Sequence, residues 1–323
     1  MNIDAIRAAA LRIKGHARRT PLLSSPFLDE IAGRRVLVKP ECLQHTGSFK
    51  FRGGWSAVSN LDDAARKTGV IAFSSGNHAQ GVALAAASHG TTAVIIMPED
   101  APTLKIANTK ALGAEVILYN RHTTDRDALG DEVARDRGLT LIKPFDNADV
   151  IAGQGTVGLE IAEDAKAMGI THADVAVCCG GGGLTSGIAL ALQADAPDMV
   201  VRPVEPAGFD DVARSLVSGQ IEKNASQAGS ICDAIMTQQA GNMTFPIMKS
   251  LCGAGIVVSD DDALRAMGHA FERLKLVAEP GGAVALAAAL FHPDTLTQDT
   301  VIAVISGGNV DASMFARALA TLQ

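Results

Sequence analysis

The sequence predicts an α/β protein of two αβα lobes with mainly parallel, twisted sheets. Three observations carry that expectation. Seven short apolar runs alternate with longer Ala-rich stretches whose apolar residues recur at helical spacing. Several of the runs are almost continuously apolar, as strands buried on both faces are. The 323 residues exceed one comfortable sheet, yet hold no internal repeat, low-complexity tract or flexible linker.

In chain order, MNIDAIRAAALRIKGHARRT reads as a charged amphipathic helix without the apolar core and cleavage site of a secretory signal. VLVKP from Val36 is the first strand, followed by VIAFS from Val70, TAVIIM from Thr92 and EVILY from Glu115. HAQGVALAAASHG from His78 is a helix between the second and third of these. DVAVCC from Asp174, MVVRPVE from Met199 and TVIAVIS from Thr300 are the later strands, and DDALRAMGHAFERL from Asp261 is the helix ahead of the last. Open α/β sheets bind ligands beyond the carboxyl ends of their strands. The Gly-rich segments here follow strands, so the site is expected there.

With 47% hydrophobic and 20% charged residues the chain has the balance of a packed globular protein. A net charge of -7 disfavours a nucleic-acid binder. No apolar run approaches the roughly 18 residues of a membrane span, so none is expected; the cytoplasm is the default compartment. Cys42, Cys178, Cys179, Cys232 and Cys252 are odd in number and match no zinc or iron–sulfur spacing. Buried structural thiols are expected.

Four segments carry the chemistry. In HTGSFKFRGG, His45 to Gly54, Lys50 stands between Phe49 and Phe51. Apolar neighbours strip water from an amine, lower its pKa and make it a usable nucleophile; an exposed helix lysine is the other reading. FSSGNHAQG, Phe73 to Gly81, follows a strand and opens a helix. Its helix-start amides, serine hydroxyls and Asn77 amide suit a carboxylate, and they equally make an ordinary N-cap. CCGGGGLTSG, Cys178 to Gly187, sets four glycines between a buried strand and a helix. There the backbone can approach a phosphate and the helix terminus offers donors; a tight turn is the plain alternative. The segment lacks the Lys-Ser/Thr of a P-loop and the GxGxxG spacing of a dinucleotide site, which disfavours a nicotinamide oxidoreductase. ISGGNVD, Ile305 to Asp311, places Ser306 at the carboxyl end of a strand.

Together, SFKFRG, SSGNHAQG, GGGGLTSG and SGGN, in this order and at these separations, resemble the serine/threonine dehydratase and serine racemase family. AGQGT (152–156), VEP (204–206) and EPGGA (279–283) extend the match over nearly the whole chain. The resemblance implies the tryptophan-synthase-β-like fold, fold type II of the pyridoxal-phosphate (PLP) enzymes. It implies a large cofactor-binding domain of residues 1–58 and 148–323 and a small mobile domain of residues 59–147 that holds the substrate carboxylate. It also implies pyridoxal 5′-phosphate as cofactor, a small amino acid as substrate and a homodimer.

By the same resemblance Lys50 forms the Schiff base with the cofactor, Phe49 packs on a ring face and Asn77 hydrogen-bonds the phenolic oxygen. Gly180, Gly181, Gly182, Gly183 and Leu184 cradle the phosphate, and Ser306 meets the pyridine nitrogen. A hydroxyl does not hold a proton on that nitrogen as a carboxylate would, so the ring is a weaker electron sink and prompt β-elimination is favoured over transamination. Ser74, Ser75, Asn77 and His78 lie on the loop that binds the substrate carboxylate. Ser75 matches the hydroxyl that works on the cofactor face opposite the lysine in racemases. Arg126 falls where racemase-like members carry a carboxylate-binding arginine; a solvated helix arginine is the alternative. Glu205 and Asp211, with the Phe209 carbonyl, match a divalent-cation site. These hard oxygen ligands suit Mg²⁺, Ca²⁺ or Mn²⁺, while the plain alternative makes Asp210 and Asp211 caps of the helix DVARSL.

The implied reaction is α,β-elimination of water from threonine or serine, with Lys50 removing the α-proton, to give a 2-oxo acid and ammonia. A 3-hydroxyaspartate dehydratase and a racemase are the alternatives within the family. A non-enzymatic protein binding a phosphate-bearing ligand is the alternative outside it. Hydroxyaspartate needs a second cationic pocket, for which His45, Arg52, His78 and His122 are candidates. Ala234 stands where members often have Gly, and EPGGA replaces the commoner EPAGA; both touch the pocket wall. The chain ends shortly after SGGN, so a short catabolic or stress-type enzyme without a regulatory domain is expected.

Overall fold

A computed structural model describes residues 1–74, 76–101, 103–120, 123–226 and 228–322. Among them the chain forms two sheets. The larger contains β1 (Leu23–Ser24), β2 (Arg35–Pro40), β7 (Ala173–Cys178), β8 (Met199–Pro206), β9 (Ile256–Val258) and β10 (Thr300–Ile305). Their order is β1-β2-β10-β7-β8-β9, and every pairing is parallel except β1 with β2. The smaller contains β3 (Val70–Phe73), β4 (Ala93–Pro98), β5 (Glu115–Tyr119) and β6 (Thr140–Leu141), in the order β5-β4-β3-β6 and parallel throughout.

The burial of the strands explains their continuous hydrophobicity. β10 lies between β2 and β7, with Ala303 opposite Val38 on one side and Ala176 on the other. Every β10 residue after Thr300 is buried. Helix Pro280–Phe291, apolar all round, covers β7, β8 and β10 and is buried along most of its length. All seven apolar runs are strands. β1, β6 and β9 are too short to carry a readable pattern.

Helix Ile3–Ile13 is amphipathic as expected. It buries Ile6, Ala9 and Ile13, and its Asn2 cap accepts from the Ala5 amide at 3.3 Å. No helix among the described residues is long and apolar enough to cross a membrane.

Each Gly-rich segment opens a helix at the end of a strand or leaves one directly. Helix Lys50–Ser59 comes after β2, helix Asn77–Ser88 after β3, helix Gly183–Asp195 after β7, and Ser306 follows β10. The first two helices follow strands of different sheets yet touch through their backbones. A Cβ on Gly81 would stand 2.9 Å from the Lys50 carbonyl carbon, so glycine is what allows the approach. Phe51, Trp55 and Val58 then join the core of β3 and β4.

Candidate active site

These converging ends enclose a cavity lined by Lys50, Asn77, the Gly180–Leu184 loop, Glu279 and Ser306. Lys50 projects from the first turn of its helix. Its Nζ donates to the Pro144 carbonyl at 2.8 Å and lies 5.2 Å from the centre of the Phe49 ring. Desolvation brings its pKa down to about 8, so a useful fraction of the amine is neutral near physiological pH.

Asn77 is held at both ends of its amide. Nδ2 donates to Glu279 Oε1 at 2.6 Å, and Oδ1 accepts from Asn309 Nδ2 at 2.7 Å. Asn309 also donates to the Thr46 carbonyl at 2.8 Å. The amide therefore has a defined orientation, with one N–H left over. Burial raises the Glu279 carboxyl to about 7, against the bond from Asn77. Glu279 opens the EPGGA motif, which by itself assigns it no role. The signal lay in an acid placed directly before an all-apolar helix.

On the loop, Gly182 has φ +87°, a conformation that favours glycine. Helix Gly183–Asp195 begins at the next residue, so its first amides lack intrahelical acceptors, and Gly183, Leu184 and Thr185 line the cavity. Ser306 is buried at the cavity wall. Ser74 lines the cavity and its Oγ accepts from the Gly76 amide at 3.2 Å. Ser75 and His122 lie outside the described residues.

Other expected residues fall elsewhere. The His78 ring is buried and shares a hydrogen bond with the Ile142 carbonyl at 2.8 Å. Burial, then Lys50, lowers its pKa to about 3, so it supplies no positive charge. Arg126 sits 5.8 Å from the Phe73 ring centre and lines two clefts beyond Phe73 and Phe145, one of them shared with Ser74. It adjoins the cavity rather than lining it. His45 packs edge-on against Phe51, 5.0 Å between centres.

Arg52 is a correction: it turns away from the pocket. Fully buried, it pairs with Glu41 at 2.8 Å and Glu160 at 2.7 Å. Lys39, also fully buried, reaches Glu160 at 2.6 Å. Among the described residues, the one further cation that lines the cavity with Lys50 is Lys105, whose Nζ lies 3.3 Å from half-exposed Asp233. The pair links the smaller-sheet side of the opening to the larger, and no local pattern in the sequence marks it. Burial raises the pKa of all five cysteines, so their thiols stay neutral. Cys178 nonetheless faces the cavity.

Apart from this cavity, Glu205 is buried one residue before the end of β8 and accepts from the amides of Val212 at 3.0 Å and Ala213 at 2.7 Å. Asp211 Oδ1 accepts from Asn224 at 2.6 Å, and its buried Oδ2 has no partner among the described residues. Arg214, the nearby cation, pairs with Asp210 at 3.4 Å. Burial raises both carboxyls, Asp211 to about 6, and the proximity of Asp211 adds to the rise at Glu205. Two buried carboxylates with an unfilled oxygen fit a small divalent cation. Among the described residues no cluster of three or more His, Cys, Asp or Glu is placed to hold a metal, so carbonyl or water ligands would have to complete the shell.

A lysine of lowered pKa facing a glycine-lined helix terminus is also the arrangement expected from the motifs. The model of the family described as "Pyridoxal-phosphate dependent enzyme" matches residues 13–307. The chain belongs to the pyridoxal-phosphate dependent enzyme family. An L-threo-3-hydroxyaspartate ammonia-lyase of Pseudomonas sp is 43% identical over 98% of this chain and 97% of its own. A serine racemase of Schizosaccharomyces pombe is 40% identical over 98% and 96%. The crystal structure of a T.th. threonine deaminase superposes with a TM-score of 0.90 at 42% identity, covering 96% of this chain and 99% of that one. The architecture is accordingly fold type II of the pyridoxal-phosphate dependent enzymes.

The wall fits the cofactor of that family. Any Cβ would crowd the cradle: on Gly181 it would stand 2.3 Å from the Phe145 ring and on Gly183 2.7 Å from Gln154 Oε1. A backbone free of side chains at a helix N-terminus suits a phosphate dianion.

Proposed function

We propose that this chain is a lyase that removes water and then ammonia from a small β-hydroxy amino acid. The observation that carries the reading is Lys50, its pKa lowered by burial, facing the glycine loop across one cavity. Pyridoxal phosphate supplies an aldehyde that joins amines and a ring that takes up the electrons released at the α-carbon.

The chain's residues do the rest. Lys50 Nζ would hold the cofactor through its aldehyde and, once displaced by the substrate amine, take the α-proton. The amides of Gly180, Gly181, Gly182, Gly183 and Leu184 would hold the phosphate, and Phe49 would lie on a ring face. Asn77, oriented by Glu279 and Asn309, would donate its remaining N–H to the phenolic oxygen. Ser306 would offer the ring nitrogen a neutral hydroxyl. Ser74, Ser75, Asn77 and the start of helix 77–88 would bind the substrate carboxylate, orienting the α C–H bond across the ring plane. Neutral His78 would tie the start of that helix to the Ile142 carbonyl, and Arg126 would draw carboxylates toward the opening. Breaking Cα–H and Cβ–O releases water; the resulting enamine tautomerises to an imine, and a second water gives the 2-oxo acid and ammonia. Glu205, Asp211 and the Phe209 carbonyl would hold Mg²⁺, Ca²⁺ or Mn²⁺ as a structural ion. Residues 59–147 would act as the mobile substrate domain, and a homodimer in the cytoplasm completes the proposal on the family resemblance.

Among substrates, threonine and serine fit the site as small hydroxy acids. L-threo-3-hydroxyaspartate has a specific observation in its favour: the ammonium of Lys105 in the cavity wall, available to a second carboxylate in place of half-exposed Asp233. The test is a panel of threonine, serine and the 3-hydroxyaspartate stereoisomers, following 2-oxo acid and ammonia with and without Mg²⁺. Turnover of hydroxyaspartate above the others selects the dicarboxylate reading, and the reverse selects the generic one. Interconversion of serine enantiomers without oxo acid overturns the elimination and transfers the chemistry to Ser75. Lys50→Ala is expected to abolish the cofactor's visible band and lower kcat by about 10²–10⁴-fold or more; an unchanged band removes Lys50 as the attachment point.

A further inference from the structure

The roles assigned above leave Gln154 unused. It belongs to AGQGT in the helix Ala148–Ala167, and it is fully buried. Neither Nε2 nor Oε1 has a hydrogen-bond partner among the described residues. Buried amides are satisfied by a partner in the great majority of cases, so two open valences on one side chain point to a missing ligand.

The surroundings define that ligand. Gln154 lines the same cavity as Lys50 and the glycine loop. Its Oε1 lies 2.7 Å from the place a Cβ on Gly183 would take, and its Nε2 lies 3.0 Å from the corresponding place on Gly53. The amide is thus wedged between the first residue of helix 183–195 and the helix that bears Lys50. A half-turn about its last torsion exchanges the oxygen and nitrogen, so either atom can face the loop. What binds at a helix N-terminus among open backbone amides is an anion that only accepts hydrogen bonds. A neutral carboxamide adds a donor there without adding a charge.

We infer that the Gln154 side chain donates a hydrogen bond to the cofactor's phosphate, adding a side-chain donor to the backbone amides of the loop. The inference rests on the placement of the phosphate at Gly180–Leu184 proposed above.

The test compares pyridoxal phosphate with pyridoxal, which lacks the phosphate. Each is titrated into cofactor-stripped protein, wild type, Gln154→Met and Gln154→Glu, following the visible band, and the thermal midpoint of the stripped protein is read alongside. Gln154→Met is expected to weaken pyridoxal phosphate about tenfold while pyridoxal binding stays within twofold. The stripped protein should keep or raise its midpoint, because an unpaired amide has been replaced by an apolar side chain of similar length. Gln154→Glu, nearly isosteric, should weaken pyridoxal phosphate about a hundredfold through repulsion, and it decides the matter alone if the Met variant does not fold. Equal weakening of both ligands overturns the inference and makes Gln154 a packing residue. So does unchanged affinity for pyridoxal phosphate, which would leave water as the partner. If wild type binds pyridoxal as tightly as pyridoxal phosphate, the phosphate site itself is misplaced and the inference falls with it. If wild type forms no visible band with either, the proposed function fails first.

Discussion

Glu279 shows how one buried side chain can set a pH response. Its carboxyl is raised from 4.5 to about 7 in the cofactor-free protein. The folded chain therefore holds this proton more tightly than the unfolded chain does. The stability linked to it is complete below about pH 4.5 and is lost as pH rises through 7. From pKa arithmetic the loss reaches about 3 kcal/mol, about 1.4 kcal/mol per unit. Glu279→Gln can still accept from Asn77 but cannot ionise. Urea unfolding of the cofactor-free protein at pH 5 and pH 8 should show the variant less sensitive to pH and more stable than wild type at pH 8. Equal pH slopes would put the charge elsewhere. Sequence made Lys50 and the glycine loop legible, because each has its chemistry within a few adjacent residues. Glu279 was not legible, since the Asn77 that defines it is 202 residues away. Arg52 was misread for the same reason: its acidic partners lie 11 and 108 residues off, and only the fold brings them to it.

At the scale of elements, the strand pattern was readable because a parallel sheet covered on both faces demands unbroken apolar runs. The contact between helices 50–59 and 77–88 was not, because a glycine in sequence does not say which backbone it lets in. Gly81→Ala tests that contact. Its Cβ would meet the carbonyl carbon of Lys50 at 2.9 Å, so one helix must shift. The expected cost is about 1–3 kcal/mol of stability, with weakened cofactor binding because the displaced backbone is that of Lys50 itself. Urea unfolding and cofactor titration measure the two effects. A variant equal to wild type in both would mean that the helices separate freely.

At the scale of the whole molecule, the two-sheet plan followed from length and strand count. The joining of the halves did not, because Lys105 and Asp233 carry no mark of partnership in the sequence. The proposed cation site can be tested at this scale as well. Adding Mg²⁺ or Ca²⁺ should raise the thermal midpoint of wild type by relieving the repulsion between Glu205 and Asp211, and a chelator should reverse it. In Asp211→Asn the ion should lose most of its effect. The response should be stronger at pH 8 than at pH 5, because protonation of Asp211, with its pKa of about 6, competes with the ion. A midpoint indifferent to divalent ions would leave the pair as helix-capping acids.

The four charges linked through Arg52 of the Lys50 helix have a consequence for how this chain can change. Lys39, Glu41, Arg52 and Glu160 are joined in one largely buried group of two cations and two carboxylates. Exchanging any one of them for a neutral residue strands a charge where water cannot reach it. Exchanging a cation together with a carboxylate does not. The routes by which this region can be rewritten, in a laboratory library or in descent, therefore pass through coupled replacements. A scan of single substitutions will call each position intolerant while missing the pairs that are permitted.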